Sequence, residues 1–159
     1  MALRGTANRI SSFMKKWTPL LVFLFILFFA FPPMAPGQVQ TRVRVIEASN
    51  VGSVIDPSLR DLHGQLGSLF RYTSYRLLRD ERINLSPNQP ASVPVHQGRS
   101  IEITQVGLQA NMAELRVRIK RDGADILNTQ VRLSPGRTVL VGGPKHGEGV
   151  VILALSASF

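Results

Sequence analysis

Residues 114–157 read ELRVRIKRDGADILNTQVRLSPGRTVLVGGPKHGEGVVILALSA, and this stretch decides the fold of the chain. It holds four short runs rich in Val, Ile, Leu and Thr, separated by three clusters of turn residues. Spacing of this kind is typical of antiparallel strands that follow one another as a meander. The flanking sequence adds further strands, one helix and an N-terminal leader.

The first two runs alternate apolar and polar residues, as half-buried strands do. One face carries Val, Ile, Leu and Thr, and the other carries basic side chains, namely Arg116, Arg118, Lys120 and Arg132. Between the runs, Asp122-Gly123 is a turn signal because both residues tolerate positive φ. We predict a hairpin with an apolar inner face and a cationic outer face.

The last two runs, residues 138–141 and 150–155, show little polar alternation, which is typical of strands covered on both faces. The C-terminal strand should therefore be central or packed under the helix. The Gly-rich stretch between the runs is either a plain hairpin connection or an anion-binding concavity. Its candidate residues are Gly142, Gly143, Lys145 and His146.

Four more segments have recognisable patterns. Residues 40–47 predict a strand with Arg42 and Arg44 opposite an apolar face, so both arginines join the candidate cationic face. Residues 71–78 and 100–106 predict further strands, and residues 79–82 predict a charged turn. Residues 86–94 contain three prolines and predict a loop or an edge strand.

Asp56-Pro57 predicts the start of a helix, since Asp accepts hydrogen bonds from free backbone N–H groups and Pro suits the first turn. An apolar stripe follows at Leu59, Leu62, Leu66, Leu69 and Phe70. The helix contains Gly64 and Gly67, which weaken an isolated helix, so we expect it to pack on a sheet, with the glycines allowing close approach. The fold class is α+β: about seven antiparallel strands, as a meander or sandwich, with one amphipathic helix on the sheet.

Residues 1–37 predict an export signal, because Arg4, Arg9, Lys15 and Lys16 precede an apolar run at residues 20–31. The run is shorter than the ~20 residues that cross a bilayer as a helix, and Ala35 and Gly37 are small residues suited to cleavage before Gln38. We expect a cleaved signal peptide, with a retained membrane anchor as the alternative. Residues 38–159 then form one exported periplasmic or cell-envelope domain.

The chain has no cysteine, so it has neither disulfides nor thiol chemistry. The three histidines, His63, His96 and His146, lie far apart, and we predict no metal site, no cofactor and no catalytic residues. From Gln38 onward, 15 basic residues face 10 acidic ones, which gives a net charge of +5. This moderate excess suggests acidic envelope surfaces or a protein partner rather than nucleic acid.

Residues 126–143, from Ile126 to Gly143, resemble a hairpin of bacterial secretins, the ring-forming outer-membrane pores. The matching residues are Thr129, Val131, Leu133, Gly136, Thr138, Val139, Gly142 and Gly143. No lip segment follows the match and the chain is short for a pore, so the resemblance implies an accessory component or subunit of an envelope secretion complex. As a whole, residues 38–159 resemble small exported proteins of Gram-negative bacteria, which implies location but no activity.

The sequence favours a non-enzymatic envelope domain that binds or assembles through a basic sheet face. The candidate residues for an anionic partner are Arg42, Arg44, Arg116, Arg118, Lys120 and Arg132. Two alternatives stay open: a subunit of a secretion complex, and an enzyme whose carboxylate or histidine site is assembled only by folding.

Overall fold

The structure is a sandwich of two antiparallel sheets with a short helix on one outer face. The computed structural model describes residues 37–96 and 98–159, so the predictions for the leader lie outside the described residues. The described strands are β1 (Val39–Ser49), β2 (Ser74–Leu85), β3 (Pro90–Val95), β4 (Arg99–Gln109), β5 (Met112–Arg121), β6 (Ala124–Leu133), β7 (Thr138–His146) and β8 (Gly149–Ser158). Sheet 1 has the order β2-β1-β8-β7, and sheet 2 has the order β3-β4-β5-β6.

The main core lies between the inner faces of the two sheets. Sheet 1 contributes buried side chains such as Val43 and Leu153, and sheet 2 contributes Ile103, Val117 and others. The inner residues are two apart along each strand, as the pleat requires. The alternation predicted for residues 40–47, 100–106 and 114–133 is therefore confirmed, and the β5–β6 turn has positive φ at Asp122 and Gly123 as expected.

The predicted four-strand meander is wrong in its middle. β5 pairs with β6 in sheet 2 and β7 pairs with β8 in sheet 1, so the chain passes from one sheet to the other at the turn that contains Gly136. In a sandwich, the strands of one chain are divided between two sheets whose inner faces pack together. Turn residues alone do not show which of the two sheets the next strand joins. Residues 126–143 consequently do not form a hairpin here.

The predicted charged turn at residues 79–82 is also wrong. These residues lie inside β2, which pairs with β1 from Ser74 to Leu85. Their charges are accommodated on the strand because Asp80 pairs with Arg42 across the sheet and Arg79 pairs with Glu81. The Pro-rich segment gives the expected edge strand, since β3 lies at the edge of sheet 2.

The helical segment is shorter than predicted and consists of two pieces. Asp56 accepts a hydrogen bond from the Ser58 N–H and caps a 3-10 turn (Pro57–Leu59), and the helix α1 (His63–Leu69) follows. Leu59, Leu62 and Leu66 are buried, but Leu69, at the last position of the helix, is 65% exposed. In the described part of the chain, nothing outside the helix lies within 4 Å of a Cβ placed at Gly64 or Gly67, so the expected close approach to the sheet there is wrong.

The helical segment covers only half of the outer face of sheet 1. Its leucines pack with Ile46, Ala48, Ile152 and Ala154, which form a second apolar cluster with Tyr75. β8 is thus both central in sheet 1 and packed under the helix, as predicted. In the described part of the chain, no helix is long and apolar enough to cross a membrane.

Candidate functional site

The outer face of sheet 2 carries the predicted cationic side chains of β5 and β6, and most of them have acidic partners. Glu102 of β4 accepts hydrogen bonds from Arg118 and, at 2.7 Å, from the Lys120 ammonium group. Arg118 also lies 3.6 Å from Asp125. Arg132 lies 3.8 Å from Glu114, on the neighbouring strand.

Arg116 differs from the other cations of this face. Its side chain is exposed, and no described carboxylate lies within ion-pair distance of it. The face as a whole holds four cations and three carboxylates, so opposite charges alternate across its strands. Cross-strand pairs of this kind stabilise a sheet, and they leave little net attraction for an anionic partner.

Arg42 and Arg44 do not belong to that face. They point outward from β1, which lies in sheet 1, whereas β5 and β6 lie in sheet 2. The sequence shows the same alternation in all these strands but does not show which sheet each strand joins. The six predicted arginine and lysine residues therefore divide between two outer faces.

The half of the sheet 1 outer face that the helix leaves open forms a polar depression of about 400 Å³. We call it the basin. Its floor comes from the ends of β1, β2 and β8, and its walls come from the helical segment and the β6–β7 turn. The lining side chains are mainly polar, and they include Gln40, Arg42, Arg44, Asp61, Arg82, Thr138, Ser156 and Ser158.

The basin forms because the outward residues of β1 and β8 change from apolar to polar halfway along each strand. On β1 the outward residues pass from Ile46 and Ala48 under the helix to Arg42 and Gln40 beyond it. On β8 they pass from Ile152 to Ser156 and Ser158. The apolar halves attract the helix, and the polar halves stay uncovered because burying them would leave their polar groups without water.

Two bidentate ion pairs hold the basin in shape. Arg42 donates to both oxygens of Asp80 at 2.9 and 2.5 Å, and Arg44 donates to both oxygens of Asp61 at 2.9 and 2.8 Å. The second pair ties β1 to the loop before α1, with the Arg44 side chain only 4% exposed. Planar guanidinium groups match carboxylates in this geometry, so the pairs fix the orientation of the arginines.

Arg82 is the basin cation without such a partner. It lies directly opposite Arg42 in the β1–β2 register, so two arginines face each other across neighbouring strands. Its side chain is exposed, and no described carboxylate lies within ion-pair distance of it. Like charges placed directly opposite each other on a sheet are destabilising. Asp80 accepts hydrogen bonds from Arg42, whereas it attracts Arg82 only through the longer-range charge interaction.

The ion pairs of both outer faces lower carboxylate pKa values. Hydrogen bonds from Arg42 lower the pKa of Asp80, and those from Arg44 lower the pKa of Asp61. The hydrogen bond from Lys120, with a further contribution from Arg118, lowers the pKa of Glu102. All three groups are therefore held ionised by neighbouring cations.

We expect the free energy of unfolding to decrease as the pH falls from about 5 toward 3. The ordinary pKa values, 3.8 for Asp and 4.5 for Glu, apply to the unfolded chain, and the folded values are lower. The unfolded chain therefore binds more protons in this window, so acid favours unfolding, while above it the stabilisation is fully present. Urea denaturation, followed by circular dichroism at several pH values, measures the slope of the free energy of unfolding against pH.

Glu102→Gln removes one of these groups and should flatten the slope. Glu148→Gln, in the exposed β7–β8 turn, makes the same chemical change without an ion pair and serves as the control. Equal slopes for the two variants would show that the Glu102 ion pairs contribute nothing to the acid sensitivity.

The Gly-rich candidate residues form part of a strand rather than a loop. Gly142, Gly143, Lys145 and His146 lie in β7, and the turn to β8 is made at Gly147 and Glu148. A Cβ atom on Gly142 would lie 3.3 Å from the Phe70 ring, and one on Gly143 would lie 2.8 Å from the carbonyl oxygen of Val151. These glycines are needed for close packing, which gives them a structural role.

His146 is buried and lies 2.9 Å, through Nδ1, from the guanidinium of the buried Arg99. Arg99 begins β4 and His146 ends β7, so their contact joins the two sheets at one end of the sandwich. Sequence reasoning missed Arg99, although it lies two residues before Ile101 and so shares the inward face. The contact engages only part of the guanidinium, since the buried Arg99 Nε has no hydrogen-bond partner among the described residues.

Sequence reasoning also missed Asp61, Asp80 and Arg82 as parts of a site. The sequence predicts a turn for Asp80 and Arg82, and only their position in β2 shows that they point outward from the strand together with Asn84. Asp61 reaches Arg44 through a contact between segments 17 residues apart, which no local pattern reveals.

No described group of three or more His, Asp or Glu side chains is arranged to hold a metal ion. His63 and His96 are exposed on different elements of the fold. No family model, curated protein or solved structure matches the chain, so its function has to be inferred from the geometry of its own side chains.

Proposed function

We propose that the chain is a non-enzymatic binding domain of the cell envelope that binds an anionic partner in the basin. The observation that carries this proposal is the pair of opposed arginines, Arg42 and Arg82, on the floor of a concave surface. A depression of about 400 Å³ lies in the usual size range of small-molecule sites. The envelope location comes from the basic and apolar leader in the sequence.

The arrangement of Arg82 favours binding over a purely structural role. A carboxylate or phosphate between Arg42 and Arg82 would accept hydrogen bonds from both and would remove their repulsion. Arg42 is already oriented by Asp80, so little side-chain freedom is lost when a ligand binds. The outer face of sheet 2 also has a depression, of about 300 Å³, but its cation Arg132 lies 3.8 Å from Glu114, and most other cations of that face have acidic partners as well.

Charge reversal at matched positions tests this proposal. Arg82→Glu should weaken binding to immobilised dextran sulfate about tenfold or more, whereas Arg116→Glu should bind nearly as well as the wild type. Both variants change the net charge by the same amount, so a difference between them locates the site. The measurement is the dissociation constant over a series of salt concentrations.

The stability of Arg82→Glu provides an independent check. A glutamate there faces Arg42 across the strands and replaces repulsion by attraction, so we expect a stability gain of about 0.2–1 kcal/mol. Lost binding in a variant that melts higher than the wild type cannot result from unfolding. Equal loss of affinity in Arg116→Glu, or unchanged affinity in both variants, would reject the basin as the site.

A further inference from the structure

We propose that the ligand of the basin is an acidic oligosaccharide, a short sugar chain that bears carboxylate groups. This inference rests on the proposed function and specifies the chemistry of the partner. It follows from three features of the basin: cations beside an exposed carboxylate, a lining of hydroxyl groups, and a second depression that continues the first.

The first feature is the presence of both charge signs. Arg82 and Arg42 attract an anionic group, but the Asp61 side chain also lines the basin and is 58% exposed. Each Asp61 oxygen already accepts one hydrogen bond from Arg44 and keeps a free lone pair. That carboxylate repels a compact anion such as phosphate and accepts hydrogen bonds from neutral hydroxyl groups. A ligand that carries an acid group and hydroxyl groups can pair with the arginines through its acid group and donate hydrogen bonds to Asp61 through its hydroxyl groups.

The second feature is the polarity of the floor between these charges. Thr138, Ser156 and Ser158 contribute hydroxyl groups and Gln40 contributes an amide, all of which can donate as well as accept hydrogen bonds. Sugar hydroxyl groups likewise donate and accept. Among the described residues, no large apolar side chain lines the basin, which disfavours a lipid chain or an aromatic ligand.

The third feature is the length of the site. A second depression of about 350 Å³ lies between α1 and the β6–β7 turn, and it shares Asp61, Gly136 and Thr138 with the basin. It adds the amide of Gln65 and the guanidinium of Arg137, an exposed residue. Each of the two adjoining depressions therefore has its own exposed cation, Arg82 in the first and Arg137 in the second, and Asp61 lines both. This arrangement fits a chain with repeated carboxylates better than a single charged sugar.

Isothermal titration calorimetry with three probes tests the inference: trigalacturonate, the corresponding neutral trigalactoside, and inorganic phosphate. We expect trigalacturonate to bind at least about tenfold more tightly than either other probe, since only it engages both the cations and the hydroxyl lining. Arg82→Ala and Arg137→Ala should each reduce this affinity several-fold. Arg116→Ala and Arg132→Ala remove the same charge from sheet 2 and should leave it unchanged.

The remaining outcomes separate this inference from the proposed function. If phosphate binds as tightly as trigalacturonate and depends on Arg82, the basin is an anion site and the oligosaccharide is wrong. If the neutral trigalactoside binds equally well, the role of the cations is wrong. If no probe binds and dextran sulfate binding does not depend on Arg82, both proposals fail. Circular dichroism of each variant confirms that it is folded before titration.

Discussion

Gly149→Ala is expected to lower the free energy of unfolding by about 3 kcal/mol or more. Gly149 begins β8 and pairs with Ser49 at the end of β1. A Cβ atom at this position would overlap the carbonyl oxygen of Ala48 and lie 2.9 Å from the Cβ of Ser49. Both contacts involve parts of the neighbouring strand that cannot rotate away.

The strain cannot be relieved by a small shift, because β1 and β8 are the two central strands of sheet 1. β2 and β7 flank them, and the helical segment covers the adjacent outer face. Moving β8 away from β1 would break backbone hydrogen bonds and open both apolar clusters at this end. Interiors this closely packed transmit strain rather than absorb it.

Gly147→Ala is the matched control for Gly149→Ala. Gly147 lies two residues earlier with φ of 55°, and apart from its own chain neighbours no described residue has a heavy atom within 4 Å of a Cβ placed there. Only the left-handed backbone opposes the substitution, so its cost should be about 1–2 kcal/mol. Urea denaturation of both variants measures the difference. Similar losses would show that backbone conformation, and not the contact with β1, determines the requirement at Gly149.

The inner and outer faces of the strands could be predicted from the sequence because they depend on local alternation. Leu115, Val117 and Ile119 are buried, and the residues between them are on the outside, as their period of two requires. The Asp122-Gly123 turn was also predictable, since its positive φ angles need residues of that type. These features involve residues that are close in the chain.

The assignment of strands to sheets could not be predicted in the same way. Arg42 and Arg116 both alternate with valine or leucine, yet they lie on opposite outer faces of the sandwich. The choice depends on which strands pair, and pairing is decided by contacts between residues far apart in sequence. The basin could not be predicted for the same reason. Its lining comes from β1, β2, β8, the helical segment and the β6–β7 turn, which are far apart in the sequence.

The helix shows the limit of a periodic pattern even within one segment. Leu59, Leu62, Leu66 and Leu69 fit one helical face on the sequence, but the segment consists of a 3-10 turn and a separate seven-residue helix that ends at Leu69. The first three leucines still reach the sheet. Leu69 does not, so equal hydrophobicity and regular spacing did not give equal burial.

Leu66→Ala should therefore cost about 2–4 kcal/mol, since Leu66 is fully buried at the centre of the second apolar cluster. α1 has only seven residues, too few for a helix to persist in water without packing. The Tyr75 hydroxyl, 2.7 Å from the Phe70 carbonyl oxygen and 3.2 Å from that of Leu66, adds a hydrogen bond at the C-terminal end. Loss of the Leu66 side chain leaves that polar contact as the main support of the last turn.

Leu69→Ala is the matched control, because it makes the same change three residues later on the same helix. Leu69 is 65% exposed, so we expect a loss below about 0.5 kcal/mol. We also expect the two variants to differ in their affinity for trigalacturonate, since Asp61 and Gln65 lie on the helical wall of the second depression. Loosening α1 through Leu66→Ala should weaken trigalacturonate binding, while Leu69→Ala should leave it intact. Equal stability of the two variants would mean that the helix is not held on sheet 1 by its buried leucines.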